Sequence, residues 1–330
     1  MIAADFCSGS TMRRMENFLV YVDDADATLG VLDRIVEWAQ AGQARLTLAG
    51  VVEPIRSWIT GSSGLAAEVE NELARKLESR LNELAQTLAN SDLDVHVRVY
   101  HGDPTRALVQ AVLREGYDVL FKASEQESGQ SGHALSSIER QLLRVCPSPV
   151  VILRPLPPDY TGGILAPVNF DPEQQDKGDV NDVILEVAVR AALAGFRELH
   201  ILHIWSLYGE SSLAHGFARE SEERLNELRS AEENMHRDWL DTLVEEFLGK
   251  LGPEIADYLV PKVYLIKGNP RQIVPQQVEL LRPDLLVIGS AGRTGVSGLL
   301  MGNTAEAILN KVDCSVATVK PSGFKLPIHL

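Results

Sequence analysis

The chain contains the same sequence unit twice. Gly102-Asp103-Pro104 recurs as Gly268-Asn269-Pro270, and Arg154-Pro155 recurs as Lys320-Pro321. In both cases the second copy lies 166 positions after the first, so the register is held without insertion or deletion. A register kept over such a length indicates duplication of one folding unit. The chain is therefore predicted to fold as two similar domains.

Strands alternate with helices in each copy. The strand-sized apolar segments of the first copy lie near Phe18–Val22, Arg45–Val51, Asp94–Val99, Asp118–Lys122 and Pro149–Leu153. Those of the second copy lie near Gly163–Val168, Glu198–Ile204, Pro261–Ile266, Asp284–Ile288 and Ser315–Val319. This alternation predicts an α/β fold with two tandem, doubly wound, parallel five-stranded sheets. Such sheets bind ligands at the carboxyl ends of their strands.

The sequence also sets the domain boundaries. Residues 1–14 have no strand or helix pattern and are predicted to be a disordered extension. Domain 1 is assigned to residues 15–155, a stiff proline-rich linker to 156–162, and domain 2 to 163–322. The second copy is longer because of a predicted helix from Ala214 to Lys250, whose charged face is interpreted as solvated rather than partner-binding.

Composition excludes several classes of function. The 31 basic and 46 acidic side chains give a net charge of −15, which disfavours nucleic acid as a partner. A local group of N–H donors can still bind a small anion, because a diffuse field is screened over about 10 Å. The three cysteines lack metal or disulfide spacing, and no apolar run reaches membrane-span length. We expect a cytoplasmic protein without a membrane partner.

A glycine-rich segment joins a predicted strand to a predicted helix in the second copy. Gly289 and Gly292 follow the strand, and Gly302, Asn303 and Thr304 open the helix. Glycines allow positive φ angles and let an anion approach without meeting a Cβ atom. Backbone N–H groups at a helix N-terminus favour negative charge. The spacing alone fits a phosphate-binding loop and a plain glycine-rich connection equally well.

Two side chains near these glycines have alternative interpretations. Arg293 lies inside the loop and could pair with a phosphate through its planar fork, or could be a solvated surface arginine. Thr304 could offer its hydroxyl to a phosphate or cap the helix, and the cap is the favoured interpretation.

Together these residues resemble the universal stress protein family, in particular its tandem two-domain type, and the chain is UspE-like. Nucleotide-binding members carry GxxG, nine residues, and then Gly followed by Ser or Thr. Gly289, Gly292 and Gly302 match that motif. Asn303 stands where Ser or Thr is expected, and Asn169 stands where the family has an Asp that closes the first strand.

The resemblance implies a Rossmann-like fold of the adenine nucleotide alpha hydrolase type, binding ATP, with Mg²⁺ accompanying it. The phosphates would lie on Gly289, Gly292, Gly302 and Asn303, with Arg293 and Thr304 as further candidates from the sequence itself, and the adenosine side on Asn169. The last strands, Pro149–Leu153 and Ser315–Val319, would pair the domains into an internal pseudo-dimer with pseudo-two-fold symmetry. A further homodimer of the whole chain is left open.

The first copy lacks the glycines. The positions equivalent to Gly289, Gly292 and Gly302 lie 166 residues earlier in the chain. They are occupied by Ala123, Gln126 and Ser136. Each added Cβ would fill space that a phosphate needs. Domain 1 is therefore predicted to be structural, or to bind another small molecule such as an apolar or lipid-like one. Asp23 closes its first strand and is expected to cap the next helix rather than hold a ligand.

No catalytic motif accompanies these features. GxxxxGK[ST], GxSxG and HExxH are all absent from the sequence. His200 and His203 lie three apart on one predicted strand and so point to opposite faces, which excludes them as a metal pair. We therefore expect a non-catalytic nucleotide-binding stress protein, with an ATP-using enzyme as a less favoured alternative.

Overall fold

A computed structural model describes most of the chain. The described residues are 14–55, 63–124, 135–156, 162–170, 180–195, 197–216, 219–290, 301–321 and 324. Nearly all of the predicted N-terminal extension and of the linker lies outside these ranges, so both remain predictions.

Domain 1 alternates five strands with five helices within the described ranges. The strands are β1 (Asn17–Tyr21), β2 (Arg45–Val52), β3 (Val95–His101), β4 (Val119–Ala123) and β5 (Val150–Leu153). The helices are α1 (Ala25–Leu29), α2 (Leu32–Gly42), α3 (Ser63–Thr87), α4 (Pro104–Glu115) and α5 (Ser137–Val145).

Domain 2 repeats this order. Its strands are β6 (Ile164–Val168), β7 (Leu199–Trp205), β8 (Lys262–Lys267), β9 (Leu285–Gly289) and β10 (Ser315–Val319). Its described helices are α6 (Val180–Gly195), α7 (Glu210–His215), α8 (Glu222–Leu251), α9 (Pro253–Leu259), α10 (Pro270–Leu281) and α11 (Asn303–Leu309). The helix predicted from Ala214 to Lys250 is thus divided between α7 and α8. Of these two, α8 buries Leu225, Leu240 and Phe247.

All ten strands form one sheet in the order β3-β2-β1-β4-β5-β10-β9-β6-β7-β8. Pairing is parallel within each domain and antiparallel only between β5 and β10, where Ala317 pairs with Val151. The two predicted five-stranded sheets are confirmed and are joined through their last strands. The antiparallel pair lies on the pseudo-two-fold axis that relates the two copies.

Helices cover both faces of the sheet, as expected for buried parallel strands. Side chains alternate along β9, so that Leu285 and Val287 belong to one core and Leu286 and Ile288 to the other. The first core packs against α2, α3, α6, α8 and α9, and the second against α4, α5, α10 and α11. Because both faces are covered, the carboxyl edges of the strands are the places where polar ligand groups can collect.

The backbone conformation explains why a glycine follows both β3 and β8. Gly102 has φ of 124° and Gly268 has φ of 157°, where a side chain is unfavourable. Asp103 and Asn269 then cap the following helices through their side chains. The repeat used to recognise the duplication therefore marks the same strand-to-helix turn in both domains.

Candidate functional site

The candidate site lies at the carboxyl edge of domain 2, between β6 and β9. Ile164 pairs with Leu285 in parallel register. Because the two strands are parallel, Asn169, which follows β6, and Ser290, which follows β9, both lie at the carboxyl edge of these adjacent strands. Two of the elements expected to hold the adenosine side and the phosphate side are therefore neighbours.

Gly289 ends β9, and its lack of a side chain serves packing. Neither Gly289 nor Gly302 has a positive φ, so a left-handed backbone is not the reason for a glycine at either position. A Cβ atom added to Gly289 would lie 3.0 Å from Cγ2 of Val180, at the start of α6. The glycine thus allows α6 to approach β9 closely at the edge of the site.

The second glycine begins α11. Gly302 is its N-cap residue, with extended backbone angles, and its N–H donates to the Ser290 carbonyl at 3.0 Å. The N-cap makes no side-chain hydrogen bond to the first turn of the helix. Asn303 and Thr304 are exposed within that first turn, so Thr304 is not the cap. The N–H of Gly302 is already engaged, which leaves the following amides as donors to a ligand.

Asn169 is held by its backbone. Its N–H donates to Oδ1 of Asn181 at 3.0 Å, and its carbonyl accepts from Nδ2 of Asn181 at 2.8 Å. Asn181 is buried in α6, whereas the Asn169 residue is exposed. The strand end is therefore fixed by these two hydrogen bonds to its backbone. Gly292 and Arg293 lie outside the described residues, and their predicted roles stay predictions.

An aromatic and histidine cluster lies next to Asn169. His203 on β7 is 1% exposed, and its Nε2 lies 2.8 Å from Nδ1 of His236 on α8. Phe170 and Trp239 pack against these rings at centroid distances of 4.8 to 5.2 Å. Nδ1 of His203 lies 3.1 Å from the Val168 carbonyl, which can only accept, so Nδ1 carries the proton. Nε2 of His203 then accepts from His236.

The opposite orientation of the two strand histidines is confirmed. His200 turns to the other face of the sheet, where its Nδ1 lies 3.1 Å from the Tyr264 hydroxyl. Burial lowers the pKa of His200 and, more strongly, lowers that of His203 to about 4. In the described part of the chain no group of three or more His, Cys, Asp or Glu side chains is arranged to hold a metal ion.

In domain 1 the equivalent edge is filled by charged side chains. Lys122 on β4 is fully buried, and its Nζ lies 2.8 Å from Oδ2 of Asp23 and 3.4 Å from Oε1 of Glu139. Asp23 therefore pairs with a lysine, and the expectation that it caps the next helix is wrong. Asp24 is the cap, accepting from Asp26 and Ala27. No pattern in the sequence pointed to Lys122 except its place inside an apolar strand.

Glu139 lies where a phosphate would be expected in the other domain. Ser136 and Glu139 form a capping box at the start of α5, in which the Ser136 N–H donates to Oε2 of Glu139 at 2.8 Å. The carboxylate thereby supplies negative charge at the helix N-terminus from within the chain. This ion network occupies the edge near Ala123. That edge is where another small molecule would bind in domain 1.

The three members of that network have uncharged counterparts in domain 2. Aligning the copies sets Asn169 against Asp23, Ile288 against Lys122, and Ala305 against Glu139. The carboxyl edge of domain 2 therefore lacks this particular internal ion network. The prediction that the two copies differ at this edge agrees with the structure.

An apolar cavity lies at the boundary between the domains. Its lining residues are Met15, Phe18, Trp38, Ala41, Gly42, Arg190 and Leu193. Its volume of about 20 Å³ is room for about one water molecule. It is too small for a lipid-like ligand in this conformation. No helix among the described residues combines the length and apolar character needed to cross a membrane.

Two Rossmann-like units that share one sheet, with their ligand edges built differently, define a tandem-domain α/β protein. The model of the "Universal stress protein family" matches residues 15–154 and 175–320. The chain belongs to the universal stress protein family, which confirms the resemblance drawn from the glycine motif.

Tandem-domain relatives match over the length of the chain. Universal stress protein E of Photorhabdus laumondii is 25% identical over 326 residues, covering 96% of this chain and 98% of that protein. Universal stress protein E of Escherichia coli K12 is 24% identical over 256 residues, covering 76% of each. The crystal structure of protein PA1789 from Pseudomonas aeruginosa matches with a TM-score of 0.67, at 22% identity over 94% of both chains. At that identity the structural match supports the fold alone.

Proposed function

We propose that domain 2 binds ATP or a related adenine nucleotide without turning it over, and that domain 1 is its structural pseudo-dimer partner. The observation that carries the proposal is the difference between the two ligand edges. Domain 1 supplies its own ions, Asp23 with the buried Lys122 and Glu139, where domain 2 has Asn169, Ile288 and Ala305. An edge that lacks this network can accept charged groups from a ligand.

The described residues of domain 2 support this role in two ways. The first turn of α11 has no side-chain cap, so the N–H groups of Asn303 and Thr304 are available as donors to an anion. Asn169 presents an amide on the neighbouring strand end, where it can donate and accept hydrogen bonds with a nucleoside. Resemblance to the nucleotide-binding members supports phosphate at the former and adenosine at the latter.

Mg²⁺ would enter with the nucleotide. It prefers oxygen ligands and is commonly held by phosphates with one or two carboxylates. Asn169 replaces the carboxylate expected after the first strand, so the protein contributes less to a metal here than other family members would. We therefore propose that Mg²⁺ is carried mainly by the phosphates.

A charge placed in the first turn of α11 tests the proposal. Asn303→Asp adds a negative charge near the amides that would meet phosphate, and should weaken ATP binding about tenfold or more. The same carboxylate favours the helix N-terminus by about 0.3–1 kcal/mol, so the fold should not suffer. Ser137→Asp is the matched control, because Ser137 is exposed and holds the same helix position in domain 1.

Isothermal titration with ATP, with and without Mg²⁺, is the measurement, and phosphate release is followed in parallel. We expect saturable binding in the wild type, unchanged binding in Ser137→Asp, weaker binding in Asn303→Asp, and no turnover. Absence of saturable binding by the wild type, or equal affinity in both variants, would overturn the nucleotide assignment. Phosphate release above background would instead favour an ATP-using enzyme.

A further inference from the structure

Lys320 places a buried positive charge where the ligand edge of domain 2 begins. It follows β10 directly and is 6% exposed. Its Nζ donates to the hydroxyl of Ser290, the residue after β9, and to the Leu143 carbonyl of α5 in domain 1 at 2.8 Å. It also lies 5.6 Å from the centre of the Phe324 ring. One ammonium group therefore connects the start of the glycine segment with the other domain.

This ammonium has no acidic partner among the residues that the structure describes. Its hydrogen-bond acceptors are a hydroxyl and a carbonyl. Lys122, the other buried lysine, contacts two carboxylates instead. A buried charge is costly unless it is paired, and the negative end of α5 offsets only part of that cost. Within the described part of the chain, this cation is thus uncompensated, and it lies beside the edge that is proposed to receive an anion.

We propose that Lys320 is the charge partner of the anion bound at the carboxyl edge of domain 2, acting across the Ser290 hydroxyl. The proposal rests on the proposed nucleotide-binding function and adds the residue that couples binding to a proton. The anion's negative charge favours the ammonium form, so affinity depends on that form being populated. Because Nζ also donates to the Leu143 carbonyl, the same ammonium group links the anion-binding edge of domain 2 to domain 1.

The direction of the pH effect follows from the surroundings of Nζ. Burial lowers the pKa of Lys320 to about 8, and the Cys146 thiol nearby raises it slightly. Burial raises the pKa of Cys146 itself to about 12, so that thiol stays neutral. The polar and aromatic groups that face Nζ from the packed elements are Leu143 of α5, Cys146 after α5, Ser290 after β9 and Phe324 after β10. Anion binding should therefore weaken as pH rises through about 8.

A purely structural role for Lys320 gives a different result. A cation at the end of α5 stabilises the helix by interacting with its last carbonyls. If Lys320 did no more than this, its removal would lower stability and leave ligand affinity alone. The two roles are separated by comparing ligands of different charge on the same variants.

The experiment titrates wild type, Lys320→Met, Lys320→Arg and Arg154→Met with ATP and with adenosine between pH 7.5 and 9.5. Phosphate is fully ionised over this range, since its last pKa is about 6. Arg154 is the matched control, because it is buried and holds the equivalent position after β5 in domain 1. Thermal unfolding is followed for each variant.

We expect Lys320→Met to weaken ATP about tenfold or more, as loss of a unit charge within roughly 8 Å implies at an effective dielectric of about 20. Adenosine affinity should be unchanged, Arg154→Met should bind ATP like the wild type, and Lys320→Arg should bind ATP without the pH dependence.

If wild type does not bind ATP, the proposed function itself fails. If it binds with no change between pH 7.5 and 9.5, or if ATP and adenosine weaken equally in Lys320→Met, the role of Lys320 is overturned while nucleotide binding stands. Should Lys320→Met not fold, the wild-type pH profile and Lys320→Arg decide.

Discussion

Arg34 of α2 forms an ion pair with Asp284 across the boundary between the two domains. Asp284 precedes β9 and also pairs with Arg197 at 2.7 Å, and its side chain is 3% exposed. Arg34 donates further to the Arg154 carbonyl at 2.9 Å. A domain 1 helix is thereby joined to the start of β9 in domain 2 and to the end of β5. The antiparallel strand pair is consequently reinforced by buried polar contacts on the same side of the molecule.

Arg34→Leu should therefore destabilise the chain. Removing one partner of an isolated buried ion pair costs about 3–5 kcal/mol, and because Arg197 remains we expect about 2 kcal/mol. Arg45→Leu is the control, since the Arg45–Asp94 pair is 54% and 58% exposed and should cost about 0–1 kcal/mol. Urea denaturation gives both values. Equal losses in the two variants would mean that Arg34 does not stabilise the domain boundary.

The ion network of Lys122, Asp23 and Glu139 in domain 1 should behave as one unit. Lys122→Met leaves two carboxylates, Asp23 and Glu139, without their cation, and should cost about 3 kcal/mol. Glu139→Ala removes one of those carboxylates together with half of the capping box. In the double variant only the Asp23 charge of the network remains, so its loss should be smaller than the sum of the single losses by about 1 kcal/mol or more.

A double-mutant cycle on the free energy of unfolding measures this coupling. The reference cycle uses Lys76 and Glu72, an exposed pair on α3 with side chains 68% and 56% exposed. That pair should show a coupling of about 0.5 kcal/mol or less. Strict additivity at Lys122 and Glu139 would show that the filled edge of domain 1 is not held by its ions.

Much of the fold was predictable because its determinants are local. Apolar runs located the strands, and the turn at Gly102 and Gly268 recurred because both positions need the same backbone conformation. The ion network was not predictable, since Lys122 and Glu139 meet only after β4 and α5 pack together. A lysine inside the apolar strand β4 was the one available signal, and the sequence does not indicate its partner. The glycine at position 289 was recognised, but its reason, the contact with Val180, depends on tertiary packing.

The histidine pair predicts loss of stability in acid. Burial lowers the pKa of His203 to about 4 from an unfolded value near 6.5. The folded state binds this proton less readily than the unfolded state, so the stabilisation is present above about pH 6.5 and is lost as pH falls towards 4. A shift of this size corresponds to roughly 3 kcal/mol. Protonation would also set two N–H groups against each other between His203 and His236.

Denaturation at several values between pH 4 and 7 tests this expectation. His203→Phe keeps a ring among Phe170, Trp239 and His236 but removes the titrating group. The variant should lose stability at pH 7, because Val168 and His236 lose hydrogen-bond partners, yet its decline towards pH 4 should be shallower than that of the wild type. Parallel pH curves for the two proteins would assign the acid sensitivity to other groups.

Gly289 offers a test of packing at the ligand edge. In Gly289→Ala the new Cβ would lie 3.0 Å from Cγ2 of Val180, so α6 must shift or the side chain must turn. We expect a loss of about 1 kcal/mol in the free energy of unfolding. Val180→Ala removes the opposing methyl groups, so the double variant should recover part of the loss that Gly289→Ala causes. Gly249→Ala is the matched control, because no atom lies within 4 Å of its added Cβ in α8, and there the change should stabilise by about 0.5–1 kcal/mol. If Gly289→Ala proved as harmless as Gly249→Ala, close packing of α6 on β9 would not be the reason for a glycine at this position.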